Sequence, residues 1–323
     1  MPMRLSLLLP ARKHAERSAA LARWTARGDR PGDAATGRDI VLRECFDFAD
    51  AALPVAALTR SLDGDGADAA QWLRADPAFV MADAVTLRLL QSGNMGLHGA
   101  EVDAFAEALR PLFGDAGMPF DAPHPQRWYL RCERGAKLPR FSSPDDALGD
   151  DLAHHLAEGD DARRWRGLLN EAQIVLTQHP LNAQRVRRGL PPVNSLWIWG
   201  AGVLPESVRC EFNRVCSDDE VVTALARLAR VGDVCGLGEA ASLFPAALAS
   251  SASARSGEES SILIDLGRHR DGERLEREWL APIDAALRGR RVGTLNLLFE
   301  SGERCVVKPV HRWRFWRRAK STA

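Results

Sequence analysis

The chain has 323 residues, of which 46% are hydrophobic and 27% charged, so it is long and apolar enough to bury a sizeable core. Lys and Arg together number 43, as do Asp and Glu, and the resulting zero net charge argues against a dedicated nucleic-acid-binding protein. No stretch approaches the roughly 20 consecutive apolar residues of a membrane-spanning helix, and the first apolar run is too short for a secretory signal. We therefore expect a cytoplasmic protein without a membrane partner.

The spacing of the cysteines matches none of the common metal motifs. No two of them form a CxxC pair, so neither a zinc nor an iron–sulfur site is predicted. We expect reduced thiols, most of them in the core. The six cysteines are Cys45, Cys132, Cys210, Cys216, Cys235 and Cys305.

The amino-terminal half alternates strand and helix patterns. Met3–Leu9 predicts a first buried strand, and the spacing of apolar residues predicts a helix over Arg17–Arg27. Gly, Pro, Asp and Thr in Gly28–Asp39 predict a loop. Gly99–Phe113 is the clearest amphipathic helix, and Arg127–Cys132 alternates like a strand.

The carboxyl-terminal half continues this alternation around a polar segment, residues 250–261, that we expect to be a flexible loop. Ser217 or Asp218 is the expected N-cap of the first helix. Mostly apolar strands that alternate with helices predict an α/β fold with a largely parallel sheet. The predicted helices are Asp218–Val231 and Arg274–Leu287, and the predicted strands are Ser261–Leu266 and Thr294–Phe299.

The most distinctive stretch runs from Leu168 to Gly202 and is called the central stretch below. Pro180 is expected to end its helix, and a short polar loop rich in arginine follows. Val193–Trp199 predicts a strand buried on both faces, as in a parallel sheet, with Gly200 to Gly202 at its carboxyl end. Open α/β sheets bind ligands at that end of their strands.

Polar side chains and glycines of the central stretch form the candidate ligand site, which we expect to bind an anion or a phosphorylated metabolite. The alternative is structural, with the asparagines bracing the loop, the arginines solvated and the tryptophans in the core. The Gly-Ala-Gly sequence does not complete a dinucleotide-binding fingerprint. The candidate residues are His179, Asn182, Arg185, Arg188 and Asn194, together with the backbone N–H groups of Gly200 and Gly202.

The segment HPLNAQRVRRGLPPVNSLWIWGAG within this stretch resembles the corresponding segment of archaeal-type, cofactor-independent phosphoglycerate mutases of the alkaline phosphatase superfamily. It resembles even more closely the RpfE-type bacterial regulatory proteins, which look like shortened relatives of those mutases. The resemblance implies a phosphatase-like α/β core at residues 1–74 and 171–323, interrupted by an inserted α+β subdomain at residues 75–170.

The resemblance also implies a serine nucleophile and two divalent metal ions, held by several Asp and His ligands. The Asp-Gly expected after the first strand is replaced by Pro10 and Ala11, and the segment Leu298–Gly302 lacks the expected Asp-His pair. Too few ligands remain for two metals, and the neighbouring arginines disfavour a cation. The vestigial metal-ligand candidates are Asp265, His269 and Asp271.

These substitutions favour a non-catalytic regulatory protein of the RpfE type that needs no cofactor. It would sense a small phosphorylated metabolite or bind a regulatory protein. The alternative is a metal-dependent 2,3-bisphosphoglycerate-independent phosphoglycerate mutase or phosphatase, which would require Mn²⁺ or Mg²⁺.

The carboxyl-terminal segment Lys308–Lys320 is basic and aromatic. Such a segment can contact nucleic acid or anionic lipid through charge and stacking, which gives a third hypothesis, a nucleic-acid-binding regulator. The simpler interpretation, and the one we expect, is an edge strand in which Trp313 and Phe315 alternate with Arg312 and Arg314. We therefore expect no nucleic-acid partner.

Overall fold

The computed structural model describes residues 3–14, 18–49, 52–64, 69–83, 86–159, 161–238, 240 and 260–317. The chain divides into two compact units. The core unit comprises Met1–Ala49 and Ser207–Ala323, and the inserted unit comprises Asp50–Glu206. The predicted loop at residues 250–261 lies outside the described residues, except for Ser260 and Ser261.

The described chain mixes strands and helices, but the strict alternation that we predicted does not hold, because three helices follow β1 and several strands follow one another directly. The strands are β1 (Met3–Leu9), β2 (Gln71–Ala82), β3 (Leu87–Ser92), β4 (Phe120–His124), β5 (Arg127–Cys132), β6 (Ser195–Val203), β7 (Arg214–Cys216), β8 (Asp233–Cys235), β9 (Ser261–Asp265), β10 (Val292–Phe299) and β11 (Arg304–Val307). The α-helices are α1 (Ala19–Arg27), α2 (Arg38–Cys45), α3 (Val55–Asp63), α4 (Gly99–Asp115), α5 (Pro144–Ala147), α6 (Ala162–Thr177), α7 (Pro180–Arg187), α8 (Glu220–Leu228), α9 (Gly272–Leu275) and α10 (Ala281–Arg288). Helical segments of other types are Arg12–His14, Leu152–His155, the π-helical turn Glu276–Leu280 and the 3-10 helix Pro309–Trp313.

The core unit is built on a six-stranded sheet in the order β11-β10-β1-β9-β7-β8. Every neighbouring pair is parallel except β10 and β11, which are antiparallel. β1 and β9 are buried along almost their whole length, as expected for strands that are covered on both faces. The predicted α/β fold with a largely parallel sheet is therefore confirmed.

The inserted unit contains a five-stranded antiparallel sheet organised around the long strand β2. β2 pairs with β3 and β5 along one edge and with β6 along the other. Aromatic side chains of α4, β4 and β5 fill the core beneath this sheet, including Phe105, Phe113 and Trp128, which are fully buried. This unit therefore has its own hydrophobic core and is of the α+β type.

Three predictions about the inserted unit differ from the structure. β6 belongs to its antiparallel sheet, not to a parallel one, and continues through Gly200 and Gly202. Because β6 pairs with β2, and α3 packs against both, the unit extends over residues 50–206 and not 75–170. The segment predicted as an arginine-rich loop is helix α7, since Pro180 lacks an N–H group and suits the first turn of a new helix.

Two predictions about the core unit also need correction. The loop predicted over Gly28–Asp39 ends two residues early, at Gly37, because α2 begins at Arg38. The predicted edge strand around Trp313 is a 3-10 helix, Pro309–Trp313, in which His311 Nδ1 accepts a hydrogen bond from the Lys308 N–H at 3.3 Å.

Candidate functional site

Three acidic side chains meet where the parallel strands of the core sheet end, and they are called the carboxylate cluster below. Asp265 is the last residue of β9, Glu300 follows β10, and Asp219 lies three residues after β7. The carboxyl ends of parallel strands share one edge of a sheet, which explains how residues far apart in sequence come together. The side chains of Asp219 and Asp265 are each only 2% exposed.

Arg38, the first residue of α2, binds all three carboxylates of the cluster. Its Nη2 lies 2.7 Å from Asp265 Oδ2 and 2.8 Å from Asp219 Oδ2, and its Nη1 lies 3.0 Å from Glu300 Oε1. The backbone positions this side chain, because the Gly37 N–H donates to the Glu300 carbonyl at 2.9 Å just before the helix begins. A single guanidinium therefore occupies the space between the three acids.

The remaining oxygens of the two buried aspartates also have partners within the chain. Asp265 accepts hydrogen bonds from Ser217 Oγ at 2.8 Å and from the Gly267 N–H at 3.0 Å. Asp219 is the N-cap of α8, and not Ser217 or Asp218 as predicted, and it accepts from the N–H of Val221 at 2.8 Å. Arg268 Nε lies 2.9 Å from the other oxygen of Asp219. Both aspartates are thus held by directed donors.

The electrostatics of the cluster follow from burial and from these ion pairs. Burial disfavours the charged form of Arg38, but the attraction of Asp265 and Asp219 outweighs it and raises the pKa of the guanidinium. Burial likewise opposes ionisation of Asp219, yet Arg38 and Arg268 hold the pKa of its carboxyl below the usual range. Burial dominates at Glu300 and raises its pKa despite the nearby Arg38. Asp219 is therefore ionised across the physiological pH range.

The carboxylate cluster does not fit the pair of divalent metal ions that the mutase resemblance implies. A metal needs free carboxylate oxygens, but those of Asp219 and Asp265 accept hydrogen bonds from arginine, serine and backbone donors. The positive charge of Arg38 lies where a cation would have to be placed. Among the residues that the structure describes, no group of three or more His, Cys, Asp or Glu side chains is arranged to hold a metal ion.

A cleft of about 340 Å³ adjoins the cluster, and it brings together the three vestigial candidates, Asp265, His269 and Asp271. Asp265 belongs to the cluster, whereas Asp271 caps α9 by accepting from the N–H groups of Glu273 and Arg274. The His269 ring lies 6.4 Å from Trp279, and its buried Nδ1 has no hydrogen-bond partner among the described residues. Arg268, Arg270 and Arg274 also line the cleft.

The candidate residues of the central stretch all lie in the inserted unit, and most of their polar groups are used internally. Asn182 donates to the carbonyls of Leu176 and Val193 and accepts from the Val193 N–H, all within 2.8 Å. Asn194 similarly pairs with the N–H and carbonyl of Val80 at 2.9 and 2.8 Å. These two asparagines brace the chain on either side of the turn into β6.

The two arginine candidates, Arg185 within α7 and Arg188 at its C-cap, differ sharply in their surroundings. The Arg185 side chain is fully buried and donates to the carbonyls of Pro191 and Met95 at 3.1 and 2.6 Å. Both arginines approach Glu101, at 3.2 Å from Arg185 and 3.4 Å from Arg188. Because the Arg188 side chain is 54% exposed, it is the one of the two that solvent can reach.

His179 and the two glycines complete the predicted site. The His179 Nδ1 accepts the Leu181 N–H at 3.3 Å as the N-cap of α7, and its ring packs 4.6 Å from Phe105; burial lowers its pKa. Gly200 has φ of +68°, and a Cβ on Gly202 would lie 2.3 Å from Pro54 Cβ. The glycines thus permit a positive φ and a close chain crossing, and ligand binding by the central stretch stays a prediction.

Arg38, Asp219 and Glu300 were not predicted from the sequence as site residues. A signal was available for the acids, because each follows closely on an apolar strand, as Asp265 does. Nor was a buried ion pair in the inserted unit predicted, between Arg74 and Asp76 at 2.7 Å, in which Trp199 Nε1 donates to Asp76 at 2.8 Å. No sequence motif marks that pair.

Fold and site together define an α/β protein with an inserted antiparallel unit, in which an arginine neutralises the acids at the ends of the parallel strands. Among the described residues, no helix is long and apolar enough to cross a membrane.

Comparison with known proteins gives partial homology to phosphoglycerate mutases, whereas no protein-family model matches the chain. The 2,3-bisphosphoglycerate-independent phosphoglycerate mutase of Methanothrix thermoacetophila is 39% identical over 66 residues, which are 20% of this chain and 17% of that protein. A probable enzyme of the same name from Geobacter sulfurreducens is 40% identical over 62 residues, 19% of this chain and 16% of that protein. The matched segment thus spans less than a fifth of either relative.

Two solved structures align with most of the chain. The cofactor-independent phosphoglycerate mutase from Thermoplasma acidophilum aligns with a TM-score of 0.43 and 16% identity, covering 95% of this chain and 90% of that one. The PH0037 protein from Pyrococcus horikoshii aligns with a TM-score of 0.43 and 13% identity, covering 95% and 87%.

Proposed function

We propose that this protein is a non-catalytic regulatory protein of the RpfE type, derived from a phosphoglycerate mutase-like scaffold. The observation that carries the proposal is the position of Arg38, whose guanidinium contacts Asp219, Asp265 and Glu300 at the carboxyl ends of the parallel strands. Sequence homology to the mutases over about a fifth of the chain supports the origin of the scaffold.

The chemistry of a guanidinium explains why Arg38 at the centre of the carboxylate cluster favours a non-catalytic role. Two-metal phosphoryl transfer needs Lewis acids with open coordination positions that bind the attacking and leaving oxygens. Arginine supplies a permanent positive charge and hydrogen-bond donors, but no coordination position. Arg38 therefore compensates the charge of the carboxylate cluster and keeps the strand ends together without supplying that reactivity.

The proposed ligand is a small phosphorylated metabolite, and the cleft beside the carboxylate cluster is its candidate site. Guanidinium groups bind phosphate oxygens well, and three arginines line this cleft. They share the lining with four aspartates, and the charged residues are Arg268, Arg270, Arg274, Asp218, Asp219, Asp265 and Asp271. Arg270 has no hydrogen bond or close ion pair among the described residues, and its charge acts on Glu300 from a distance, so its N–H donors are available to an anion. A regulatory protein is the second kind of partner that this proposal allows.

The test combines metal analysis, thermal shift and a mutase assay on the purified protein. We expect no turnover of 3-phosphoglycerate, no stabilisation by Mn²⁺ or Mg²⁺, and a rise in Tm with 3-phosphoglycerate alone, because a ligand that binds only the folded state stabilises it. Arg270→Gln should reduce that rise, whereas Arg110→Gln, on an exposed position of α4, should leave it unchanged.

Manganese-dependent turnover that Asp265→Asn abolishes would contradict the proposal and would identify the protein as a metal-dependent phosphoglycerate mutase or phosphatase. If no phosphorylated probe stabilises the protein, the proposed metabolite ligand is wrong while the non-catalytic role still holds. A partner protein would then be the remaining class of ligand.

A further inference from the structure

Large apolar side chains are exposed near the end of the described chain, on a segment called the basic aromatic surface, Lys308–Arg317. Val310 and Trp313 are each 63% exposed, Phe315 is 71% exposed and Trp316 is 67% exposed. Four such residues within seven positions form a contiguous apolar feature, unlike the single exposed apolar residues that are normal on a protein surface. An exposed apolar surface of this kind is typical of a site that binds another protein or a membrane.

The same segment carries only positive charge. Its cationic residues are Lys308, Arg312, Arg314 and Arg317, and it contains no Asp or Glu. Arg312 lies over the Trp313 ring at 4.9 Å from its centroid, so charge and aromatic surface are presented together.

This surface is held firmly against the core unit. His311 is buried, with its Nε2 at 3.3 Å from Asp29, and Arg314 donates to the Arg27 carbonyl at 3.0 Å. Arg27 in turn donates to the Arg312 carbonyl at 3.1 Å. The exposed side chains are thus presented by an ordered turn, which reduces the entropy lost when a partner binds.

A groove of about 320 Å³ lies beside the basic aromatic surface, at the edge of the sheet opposite the carboxylate cluster. Val307, at the end of β11, lines this groove and pairs with Leu295 in the first half of β10, whereas Glu300 follows the end of β10. Trp24 and Leu287 provide further apolar walls, and the basic residues Arg27, Lys308 and Arg312 also line it. Asp284 is the acidic residue of the lining, and its carboxylate is paired with Arg23 and Arg288.

We propose that the basic aromatic surface and its groove bind the surface of an anionic phospholipid bilayer. Tryptophan side chains favour the bilayer interface, and basic residues are attracted to anionic headgroups. The cations of the groove would bind the phosphate of one lipid, and its apolar wall would contact the apolar part of the same lipid. Nucleic acid is the less suitable partner, because stacking on bases uses the aromatic rings but leaves Val310 and the apolar groove without an apolar neighbour. The proposal departs from the sequence expectation of no membrane partner.

Co-sedimentation of the full chain with vesicles tests this proposal. We expect binding to vesicles of phosphatidylcholine mixed with phosphatidylglycerol, and little binding to phosphatidylcholine alone. Raising the salt from about 0.1 M to about 1 M, which shortens the Debye length from about 10 Å to about 3 Å, should weaken binding. The double variant Lys308→Gln/Arg312→Gln should lower the partition coefficient by about 20- to 30-fold, at about fivefold per cation.

The aromatic contribution is tested by the triple variant Trp313→Ala/Phe315→Ala/Trp316→Ala, which should lower partitioning more than about tenfold. The matched control replaces three exposed apolar residues of the inserted unit, Leu156, Ile174 and Val186, which are 50%, 56% and 58% exposed, by Ala. This control should bind like the parent protein, and circular dichroism should show that all variants are folded.

Absence of binding to anionic vesicles would overturn the proposal, as would equal binding by the parent protein and both variants. Binding of duplex DNA that the same variants abolish, without vesicle binding, would assign the surface to nucleic acid instead. None of these substitutions touches Arg38 or the carboxylate cluster, so the result is independent of the proposed regulatory function.

Discussion

Arg38 Nη2 lies 2.7 Å from Asp265 Oδ2, although the two residues are separated by 227 positions in sequence. This contact ties α2 to the end of β9. It belongs to a network in which one cation serves Asp219 and Glu300 as well. Such a network is costly to interrupt, because removal of the arginine leaves buried carboxylates without a counter-charge.

We predict that Arg38→Ala lowers the free energy of unfolding by about 3–5 kcal/mol, the usual cost of leaving a buried charge unpaired. Arg268→Ala serves as the control, because that side chain is 62% exposed and pairs with Asp219 alone. Its loss should cost less than about 1 kcal/mol. Urea unfolding followed by circular dichroism measures both, and equal effects would contradict the central role of Arg38.

A second prediction concerns divalent cations in the Arg38→Ala protein. Without the guanidinium, the oxygens of Asp219, Asp265 and Glu300 that bind it lose that donor, and oxygen ligands of this kind suit Mn²⁺ or Mg²⁺. We expect Mn²⁺ to raise the Tm of Arg38→Ala but not of the parent protein. The double variant Arg38→Ala/Asp265→Asn should lose most of this response. A parent protein that responds as strongly as Arg38→Ala would disprove the prediction.

The pH dependence of the free energy of unfolding should show the stabilising contribution of the ionised Asp219 carboxylate. Its folded-state pKa is lowered because Arg38 and Arg268 outweigh burial, so the native state binds a proton less readily than the unfolded chain does. The stability from Asp219 is therefore present above its unfolded pKa of about 3.9 and lost as the pH falls through the lower folded value. Asp219→Asn should be less stable than the parent at pH 6, and the difference should shrink by pH 3.

Denaturant unfolding at several pH values measures this change. Asp103→Asn, at an exposed position of α4, should behave like the parent throughout. Comparison of variant with parent at each pH also removes the opposite contribution of Glu300, whose raised pKa makes its ionisation unfavourable to folding. A difference between Asp219→Asn and the parent that does not change with pH would contradict the prediction.

The sequence predicted those features that depend on local pattern. The apolar runs of β1 and β9 and the periodicity of α4 report burial directly, so the parallel core and the longest helix were predicted correctly. The prediction that β6 belongs to a parallel sheet was wrong. A short apolar run does not show which strand it pairs with, and in the structure β6 pairs antiparallel with the long strand β2.

The carboxylate cluster was missed for a related reason. Its hydrogen bonds from Arg38 span 181 residues to Asp219, 227 to Asp265 and 262 to Glu300, so no local motif contains them. Arg38 also falls at the edge of a segment whose composition predicts only a loop. The sequence shows that acids follow the apolar strands, but it does not show that Arg38 pairs with them.

Arg185 within α7 and Arg188 at its C-cap allow a matched comparison within the central stretch. We predict that Arg185→Ala lowers the free energy of unfolding by about 3 kcal/mol or more, because it leaves two buried carbonyls without their donor and takes from Glu101 the buried one of its two arginines. Arg188→Ala, at an exposed side chain, should cost less than about 1 kcal/mol. Thermal and urea unfolding measure both. Similar small effects would show that Arg185 is dispensable for folding and available to a ligand.

The final prediction concerns the close crossing of β6 and the segment before α3. A Cβ at Gly202 would lie 2.3 Å from Pro54 Cβ and 2.7 Å from Pro54 Cα, and neither atom belongs to a flexible side-chain end. Gly202→Ala therefore requires a backbone shift, and we expect it to cost about 1–3 kcal/mol, the usual range for overpacking. Gly167→Ala, within α6 and facing open space, should instead stabilise the protein by about 0.5–1 kcal/mol. Both are measured by urea unfolding, and a neutral Gly202→Ala would mean that Pro54 yields at this crossing.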